Sequence, residues 1–382
     1  MPRAPKEAAY VPRYVHIREE IIRRIEEGAL LPGDRAPSLR EMGREFSVSS
    51  ITARRALLDL LNEGLVERRG GLGAFVTGAR RRVRIAVVFV GYAEAAWRQN
   101  SGSFGQLVGG IASAAWERDA ALSVIPISDA NVAAQSIKRL VREPLDGLIL
   151  RIAGSVDTAL LDLPALPTPP TVLVKRSPPG GGMPAVLPDA RQAGMLSVEH
   201  LVELGHTRIG LVSSTAPIDT YRDHKAGFLT ALGQHGIRVS RELVAEVPTV
   251  ITGLGKAAAE QLLDLPEPPT AVVTNADFLA LGVYAAAEDR HLSIPGDLSV
   301  VSFDDLEFAA HLRPPLTTVH LSYYDLGRAA AVALFRILDG EEVPPVQETP
   351  VELVVRASTA AVVSPRSVGA SKTKSAIPVA AT

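Results

Sequence analysis

The chain has 382 residues, room for two or three domains of about 100–200 residues with well-buried cores. It has no cysteine, which excludes disulfides, thiolate metal sites and cysteine nucleophiles. The net charge of −2 hides an asymmetry: residues 1–82 hold 16 Lys and Arg against 11 Asp and Glu, residues 83–382 hold 24 against 31, and only the amino-terminal piece favours a polyanion. The amino terminus carries Arg and Lys without an apolar stretch behind them, and no uninterrupted apolar run reaches about 18 residues, so export and membrane spanning are disfavoured and a cytoplasmic protein is expected.

Residues 1–12 hold three prolines and no periodicity and read as a loose arm. Val15, Ile17, Ile21, Ile22 and Ile25 then recur at helical spacing up to a stop at Gly28, which predicts an amphipathic helix. Ser38 followed three residues later by Glu41 is a capping box for a second helix, Leu39 to Phe46, and the break at 47–49 starts a third that runs to about Glu63. Two short helices joined by a tight turn make a helix-turn-helix. After Gly64 the pattern becomes two short strands around a glycine turn, a wing.

This segment resembles the winged helix-turn-helix of the GntR family of bacterial regulators. Pro32-Gly33, Pro37-Ser38, Arg40-Glu41, Val48-Ser49, Thr52, Arg54, Ala56-Leu57, Leu60, Glu63-Gly64-Leu65-Val66 and Gly71-x-Gly73-x-Phe75-Val76 carry the likeness; Ala36 stands where Leu is usual and Ser50 where Arg is common. The resemblance implies that the third helix enters the major groove of an operator. Ser49, Ser50 and Thr52 would present hydroxyls at its start, and Arg54, one turn on, would reach a guanine edge or a phosphate. Arg40 would clamp the backbone, and Gly71 at the wing tip would let the main chain approach the minor groove.

Residues 78–82 form a short basic linker. Beyond it the character changes: 83–90 is an apolar, β-branched run ended by Gly91, suited to a buried parallel strand, and such strands then alternate with helical patterns. The segments are Phe104–Arg118, Leu122–Pro126, Ala133–Arg142, Gly147–Arg151, Thr171–Lys175, Ala193–Leu204, Ile209–Ser213, Lys225–His235, Ala271–Thr274, Leu279–Asp289 and Leu298–Phe303. Alternation of this kind predicts α/β units on parallel sheets, and some ten strands predict two lobes rather than one sheet. Pro-rich patches at 164–170, 178–184 and 266–269 are surface loops, and residues 364–382, rich in Ser, Ala and Lys, read as a disordered tail.

Over about 83–360 the chain resembles the LacI-type effector domain, itself similar to periplasmic sugar-binding proteins. The likeness rests on Leu204-Gly205-His206-x-x-Ile209, Gly227-Phe228, Ala280-Leu281-Gly282, Ile294-Pro295-x-Asp297-Leu298-Ser299-Val300-Val301-Ser302-Phe303-Asp304-Asp305, Pro314-Pro315-Leu316-Thr317-Thr318-Val319 and Glu352 to Thr359. A GntR head on such a body is similar to the arabinose-repressor subgroup. The domains implied are a winged head over 1–77, the linker 78–82, an effector and dimerisation domain over 83–363, and the tail. The resemblance implies that the chain crosses between lobes near Asp189, Val319 and Pro350, and that a small polar ligand sits in the cleft outside the carboxyl ends of the strands. Closure on that ligand would change the spacing of two heads in a homodimer.

The candidate effector residues follow from the same resemblance. Asp304 matches the family's ligand-binding Asp. Asp277 either contacts ligand or caps its helix, with Asn275 one place earlier than the family's Asn. His224 stands where Arg is usual and Arg222 two residues before it; Arg176 keeps a family Arg while Lys175 reverses the charge of a family Asp, a hint of an acidic or differently oriented ligand. Ser103 and Phe104 match a loop that covers the ligand, with plain core as the other reading of Phe104, and Asp189 matches a hinge-proximal Asp that could be structural.

No nucleophile, base and orienter come together in the sequence, Gly253-Leu254-Gly255-Lys256 lacks the rest of a phosphate-binding loop, and no metal spacing or cofactor motif is present. The expectation is therefore a regulator, not an enzyme: a repressor of carbohydrate-utilisation genes released from a palindromic DNA operator by a sugar. The alternatives are a corepressor-dependent regulator sensing a purine-like or phosphorylated metabolite and, more weakly, a solute-binding protein.

Overall fold

A computed structural model describes residues 12–77, 82–92, 101–129, 135–137, 139–140, 145–153, 169–177, 182–238 and 240–362. The basic linker, but for Arg82, and the expected tail lie outside these residues, as do most of the amino-terminal arm and half of the helix expected over Ala133–Arg142.

The head begins with helix α1 (Arg13–Glu26), whose apolar stripe buries Ile17, Ile21 and Ile22. Helix α2 (Leu39–Glu45) starts at Ser38 with both halves of the capping box formed: the Glu41 amide donates to Ser38 Oγ at 3.3 Å, and the Ser38 amide donates to the Glu41 carboxylate at 2.6 Å. Helix α3 (Ser50–Asn62) packs Ala53, Ala56, Leu57 and Leu60 against the other two. Strands β1 (Val66–Arg69) and β2 (Gly73–Val76) form the antiparallel wing, Val66 opposite Val76. The buried Arg18 of α1 donates to Glu63 at 2.7 Å, so the charge inside this small core is paired. Ala36, where the family has Leu, is 2% exposed in the same core.

The chain divides into two compact units, Met1–Pro188 with Ser322–Thr349, and Asp189–Leu321 with Pro350–Thr382. It changes unit at 188/189, 321/322 and 349/350.

Behind the head, the first unit holds strands β3 (Arg84–Val90), β4 (Ala121–Ile127), β5 (Gly147–Ile152), β6 (Thr171–Val174) and β7 (Ala185–Pro188), with helix α4 (Ser101–Glu117) between β3 and β4. Further strands and helices follow in the second unit: α5 (Ala190–Glu203), β8 (Ile209–Ser214), α6 (Asp219–Gln234), β9 (Val244–Val247), α7 (Thr252–Leu263), β10 (Ala271–Thr274), α8 (Asp277–Asp289), β11 (Ser299–Asp304) and β12 (Thr317–Leu321). The chain then returns to the first unit for α9 (Tyr323–Leu338) and β13 (Val346–Thr349), and to the second for β14 (Val351–Val354).

Each unit carries one six-stranded sheet. The first has the order β13-β7-β6-β5-β3-β4 and is parallel throughout; the second has the order β14-β12-β11-β10-β8-β9, parallel except for β14, which runs antiparallel to β12. Strands β3, β5, β6, β8, β10 and β11 are almost wholly buried, as helix cover on both faces of a parallel sheet requires. In both sheets the first strand of the unit lies between its second and third, so the strand order reverses beside β3 in one and beside β8 in the other.

Helices α5 and α6 cross at two glycines. A Cβ on Gly194 would lie 2.1 Å from the His224 carbonyl oxygen, and one on Gly227 would lie 1.9 Å from that of Arg191. The Gly-Phe pair at 227–228 thus sets how closely α6, and the side chains it carries, seats on its neighbour. Among the described residues no helix is long and apolar enough to cross a membrane.

Three features differ from the sequence reading. Helix α6 begins six residues before Lys225, because Asp219 in its first turn replaces the expected apolar start. Gly253 to Lys256 lie inside α7, which removes any loop character from that glycine pair. Strands β7, β9 and β13 are not foreseen from the sequence: β9 and β13 are only partly buried and carry no continuous apolar run, and β7 is a short apolar stretch that ends at Pro188.

Candidate DNA-reading surface and effector site

In the head, Ser49 is the N-cap of α3: its Oγ accepts from the Thr52 amide at 3.3 Å and lies 3.0 Å from Thr52 Oγ1. Two of the candidate base-contacting hydroxyls therefore hold the start of the helix. Ser50, Ile51, Arg54 and Arg55 are exposed on α3, Ile51 at 80%, and Arg40 is exposed at the start of α2. Arg55 pairs with Asp59 at 3.4 Å, whereas Arg40 and Arg54 form no ion pair among the described residues. Gly71 has φ +70 at the wing tip, and a Cβ placed there would meet nothing within 4 Å, so the left-handed turn and an unobstructed backbone coincide. The head presents an exposed helix start, two exposed guanidinium groups outside any ion pair among the described residues, and a bare turn.

In the second unit, polar residues gather at the carboxyl ends of β8, β10 and β11, the edge of a parallel sheet where ligands bind. Asn275 ties β8 to β10 at the reversal of strand order: its Oδ1 accepts from the Ser214 amide at 3.1 Å and its Nδ2 donates to Ser213 Oγ at 2.8 Å. Asp277, the first residue of α8, is fully buried and accepts from the Leu306 amide at 2.7 Å and from Thr318 Oγ1 at 2.9 Å. Burial, and then the neighbouring Asp304, push its pKa up to about 7. Both residues are occupied in holding the strand ends.

Asp304 ends β11 at φ +127 and is followed by Asp305 at φ +56, two consecutive non-glycine residues in a costly backbone region. Asp305 is anchored by Arg356 at 2.7 Å and His320 at 3.0 Å, which holds the turn that presents Asp304. His224 is fully buried on α6, its ring 5.5 Å from that of Phe303, and both of its ring nitrogens are without a hydrogen-bond partner among the described residues. Burial pushes its pKa down to about 3, so the imidazole is neutral. Thr220, one turn earlier on the same face, is 2% exposed and its hydroxyl is likewise unpartnered. Buried polar groups left unsatisfied are rare in folded proteins and call for a ligand or water.

Arg222 and Asp189 are placed otherwise. The Arg222 side chain is 69% exposed and paired with Asp219 at 2.7 Å and Asp223 at 3.0 Å, turned away from the face that holds His224. Asp189 is the N-cap of α5, accepting from the Gln192 amide at 2.9 Å. A hollow of about 300 Å³ lined by Pro269, Leu292 and Leu298 borders the amino ends of β10 and β11, the opposite edge from the polar cluster.

In the first unit, Ser103 and Phe104 lie in the first turn of α4, 3% and 4% exposed. The Phe104 ring sits 4.7 Å from Phe89 and 4.9 Å from Tyr92, an aromatic cluster in the core. Lys175 and Arg176, just beyond β6, are each 3% exposed; Lys175 donates to the Tyr323 hydroxyl at 2.9 Å and Arg176 to the Ala153 carbonyl at 3.3 Å. Arg151, on β5, is 6% exposed and its guanidinium lies 5.5 Å from the Tyr92 ring centre. The Tyr92 hydroxyl is raised in pKa by desolvation and pulled back by Arg151 and Arg176, which places both cations within its electrostatic reach.

Sequence reasoning missed Arg151, Thr220 and Ile51. A single Arg near the end of an otherwise apolar strand, Gly147-Leu-Ile-Leu-Arg-Ile152, is the signal that could have found the first, because a charge in a buried strand needs a reason.

A winged helix-turn-helix ahead of two parallel α/β lobes with a polar carboxyl edge defines a ligand-responsive DNA-binding regulator. Residues 13–76 match the family model of bacterial regulatory proteins, gntR family, and residues 198–359 match that of the periplasmic binding protein-like domain. The arabinose metabolism transcriptional repressor of Geobacillus stearothermophilus is 28% identical over 360 residues, covering 91% of this chain and 98% of that protein. The ribose operon repressor of Escherichia coli (strain K12) is 30% identical over 230 residues, 59% of this chain and 69% of its own. The crystal structure of the lac repressor dimer bound to operator and the anti-inducer ONPF superposes with a TM-score of 0.64 at 25% identity, over 74% of this chain and 96% of that one. The chain belongs to the bacterial transcriptional regulators that join a GntR-type head to a LacI-type, periplasmic-binding-protein-like body.

Proposed function

We propose that this protein is a cytoplasmic, homodimeric repressor of carbohydrate-utilisation genes, held on a palindromic operator by its winged heads and released when a sugar enters the effector site of its LacI-type body. It carries no catalytic role. Arg40, Ser50 and Arg54 meet the DNA, with Ser49 and Thr52 shaping the helix start and Gly71 the wing; Asp304, His224 and Thr220 meet the sugar.

The observation that carries the reading is the buried pair His224 and Thr220, whose polar atoms have no partner among the described residues, while Asp304 is presented from a strained strand end next in sequence to Phe303, on which His224 stacks. A neutral imidazole offers one donor and one acceptor, a hydroxyl offers both, and a carboxylate accepts from two neighbouring hydroxyls; together they suit a polyol better than a flat hydrophobic ligand. Two of the proteins to which this chain is similar are named as arabinose and ribose repressors, which supports the same class.

The test is operator release. Operator fragments selected from a random DNA pool should lose the full-length protein when its sugar is added. Asp304→Gly, which relaxes φ +127 while removing the carboxylate, should bind the operator unchanged and fail to release. A variant that still releases at the same sugar concentration overturns the placement of the site.

A further inference from the structure

We infer that Ile51 reads thymine: its side chain packs on the C5-methyl group of one thymine in each operator half-site, which makes it a specificity-determining residue of the head. This rests on the DNA reading proposed above, in which α3 enters the major groove, and names the base feature that one position of that helix recognises.

Helix α3 has two faces. Ala53, Ala56, Leu57 and Leu60 are buried in the head's core, and Ser50, Ile51, Arg54, Arg55 and Leu58 are exposed on the other side. Ile51 is the second residue of the helix, and at 80% exposure it is the most exposed large aliphatic side chain among the described residues. A lone aliphatic on an ordinary surface needs no explanation, but this one stands in the turn that a docked recognition helix points toward the base edges. Arg54, three residues on and on the same exposed face, draws that face to a polyanion.

The polar groups around it are employed elsewhere or too short to cover it. Ser49 Oγ accepts from the Thr52 amide at 3.3 Å and lies 3.0 Å from Thr52 Oγ1, so both hydroxyls are tied to the helix start. Ser50 is exposed but short, which leaves the isoleucine uncovered. An isoleucine side chain has no donor and no acceptor, and of the groups that the base pairs present in the major groove the thymine methyl is the apolar one. Beside a purine edge Ile51 would strip water from N7 or O6 and return no hydrogen bond; beside the methyl both partners remove only apolar surface from water. The branch at Cβ holds the side chain in essentially one χ1 rotamer within a helix, so little freedom is lost when it packs.

The test uses the full-length protein and an operator selected from a random DNA pool. Each thymine of a half-site is replaced in turn by deoxyuridine, which pairs identically and lacks only the methyl group, and affinity is measured by gel-shift titration at fixed salt. Wild type should lose about fourfold in affinity at one thymine of each half-site, the worth of one buried methyl, and Ile51→Ala should bind the thymine and uracil forms alike there. Ile51→Val, which keeps the branch, should retain part of the difference. Because Ile51 is exposed, the alanine variant should melt with wild type, and because an aliphatic side chain neutralises no phosphate, the salt dependence of binding should be unchanged.

Wild type indifferent to uracil at every position, or a uracil penalty undiminished in Ile51→Ala, overturns the inference. Arg54→Ala, run beside these, tells its failure from that of the docking itself. Affinity lost in Arg54→Ala together with indifference to uracil sinks the thymine contact and leaves α3 in the groove. Affinity unaltered in both Arg54→Ala and Ile51→Ala removes the helix from the DNA, and the thymine contact with it.

Discussion

Replacing His224 with leucine should make the protein more stable and less responsive at once. The wild-type ring is fully buried with both nitrogens unpartnered among the described residues, and Gly194 and Gly227 hold its helix close against α5. An unsatisfied buried polar group costs about 1–3 kcal/mol, and an apolar side chain of similar bulk beside Phe303 removes that cost. The proton adds a pH-dependent part. In the unfolded chain the imidazole takes up a proton near 6.5, in the folded chain only near 3, so the unfolded state binds more protons between these values and stability falls as pH drops through that window. The slope approaches about 1.4 kcal/mol per pH unit, which makes the loss about 2 kcal/mol between pH 7 and pH 5. His224→Leu should therefore gain about 1–3 kcal/mol at pH 7 and more at pH 5. Asp277 contributes a slope of the opposite sign, because its raised pKa of about 7 means stability lost as pH rises from about 4 toward 7, but that contribution is common to both proteins and cancels in the difference. The assay is urea unfolding of wild type and variant at pH 5, 6 and 7.5, paired with sugar-dependent operator release. A leucine variant less stable than wild type at every pH, or one with an unchanged gap from pH 7.5 to 5, would refute the reasoning.

Further expectations concern the head and the helix crossing. Arg54→Ala should weaken operator binding by about 1–3 kcal/mol at fixed salt with an unchanged circular dichroism spectrum, and unaltered affinity in a gel-shift titration would remove α3 from the groove. Ser38→Ala deletes one half of the capping box that starts α2 and should cost about 1 kcal/mol in the head's melting transition, with the Glu41 half remaining. Gly227→Ala sets a Cβ 1.9 Å from the Arg191 carbonyl and should cost about 1–3 kcal/mol despite alanine's better helix propensity; because α6 must shift, the effector concentration for half release should rise as well. A melt at the wild-type temperature would show that the helices can separate without penalty.

The head was legible almost residue by residue because its signals are local. Ser38 and Glu41 are three residues apart, Gly64 and Gly71 mark turns by their own positive φ, and the apolar stripe of α1 lies within one helix. Most of the parallel strands were legible for a related reason: a strand buried on both faces must be apolar along its whole length. Strands β9 and β13, with Glu246 in one and Gln347 and Glu348 in the other, carried no such pattern and pair with the edges that β8 and β7 present. The effector candidates divided in the same way. Their positions could be read from the chain, but not their employment: Asn275, Asp277 and Asp189 look like ligand residues in sequence and are occupied by Ser214, Leu306 and Gln192 amides.

By itself the sequence determined the class of protein, a winged DNA-reading head on an α/β body with a departure from its family at His224 and Lys175. It could do so because caps, turns and apolar periods are properties of contiguous residues. Which polar atoms remain without partners was decided only by the tertiary structure, since a hydrogen bond between residues 29 or 61 positions apart leaves no trace in either one's neighbours along the chain. That is why Thr220, one hydroxyl among many, became visible as a candidate only once the helices had buried it without a partner among the described residues.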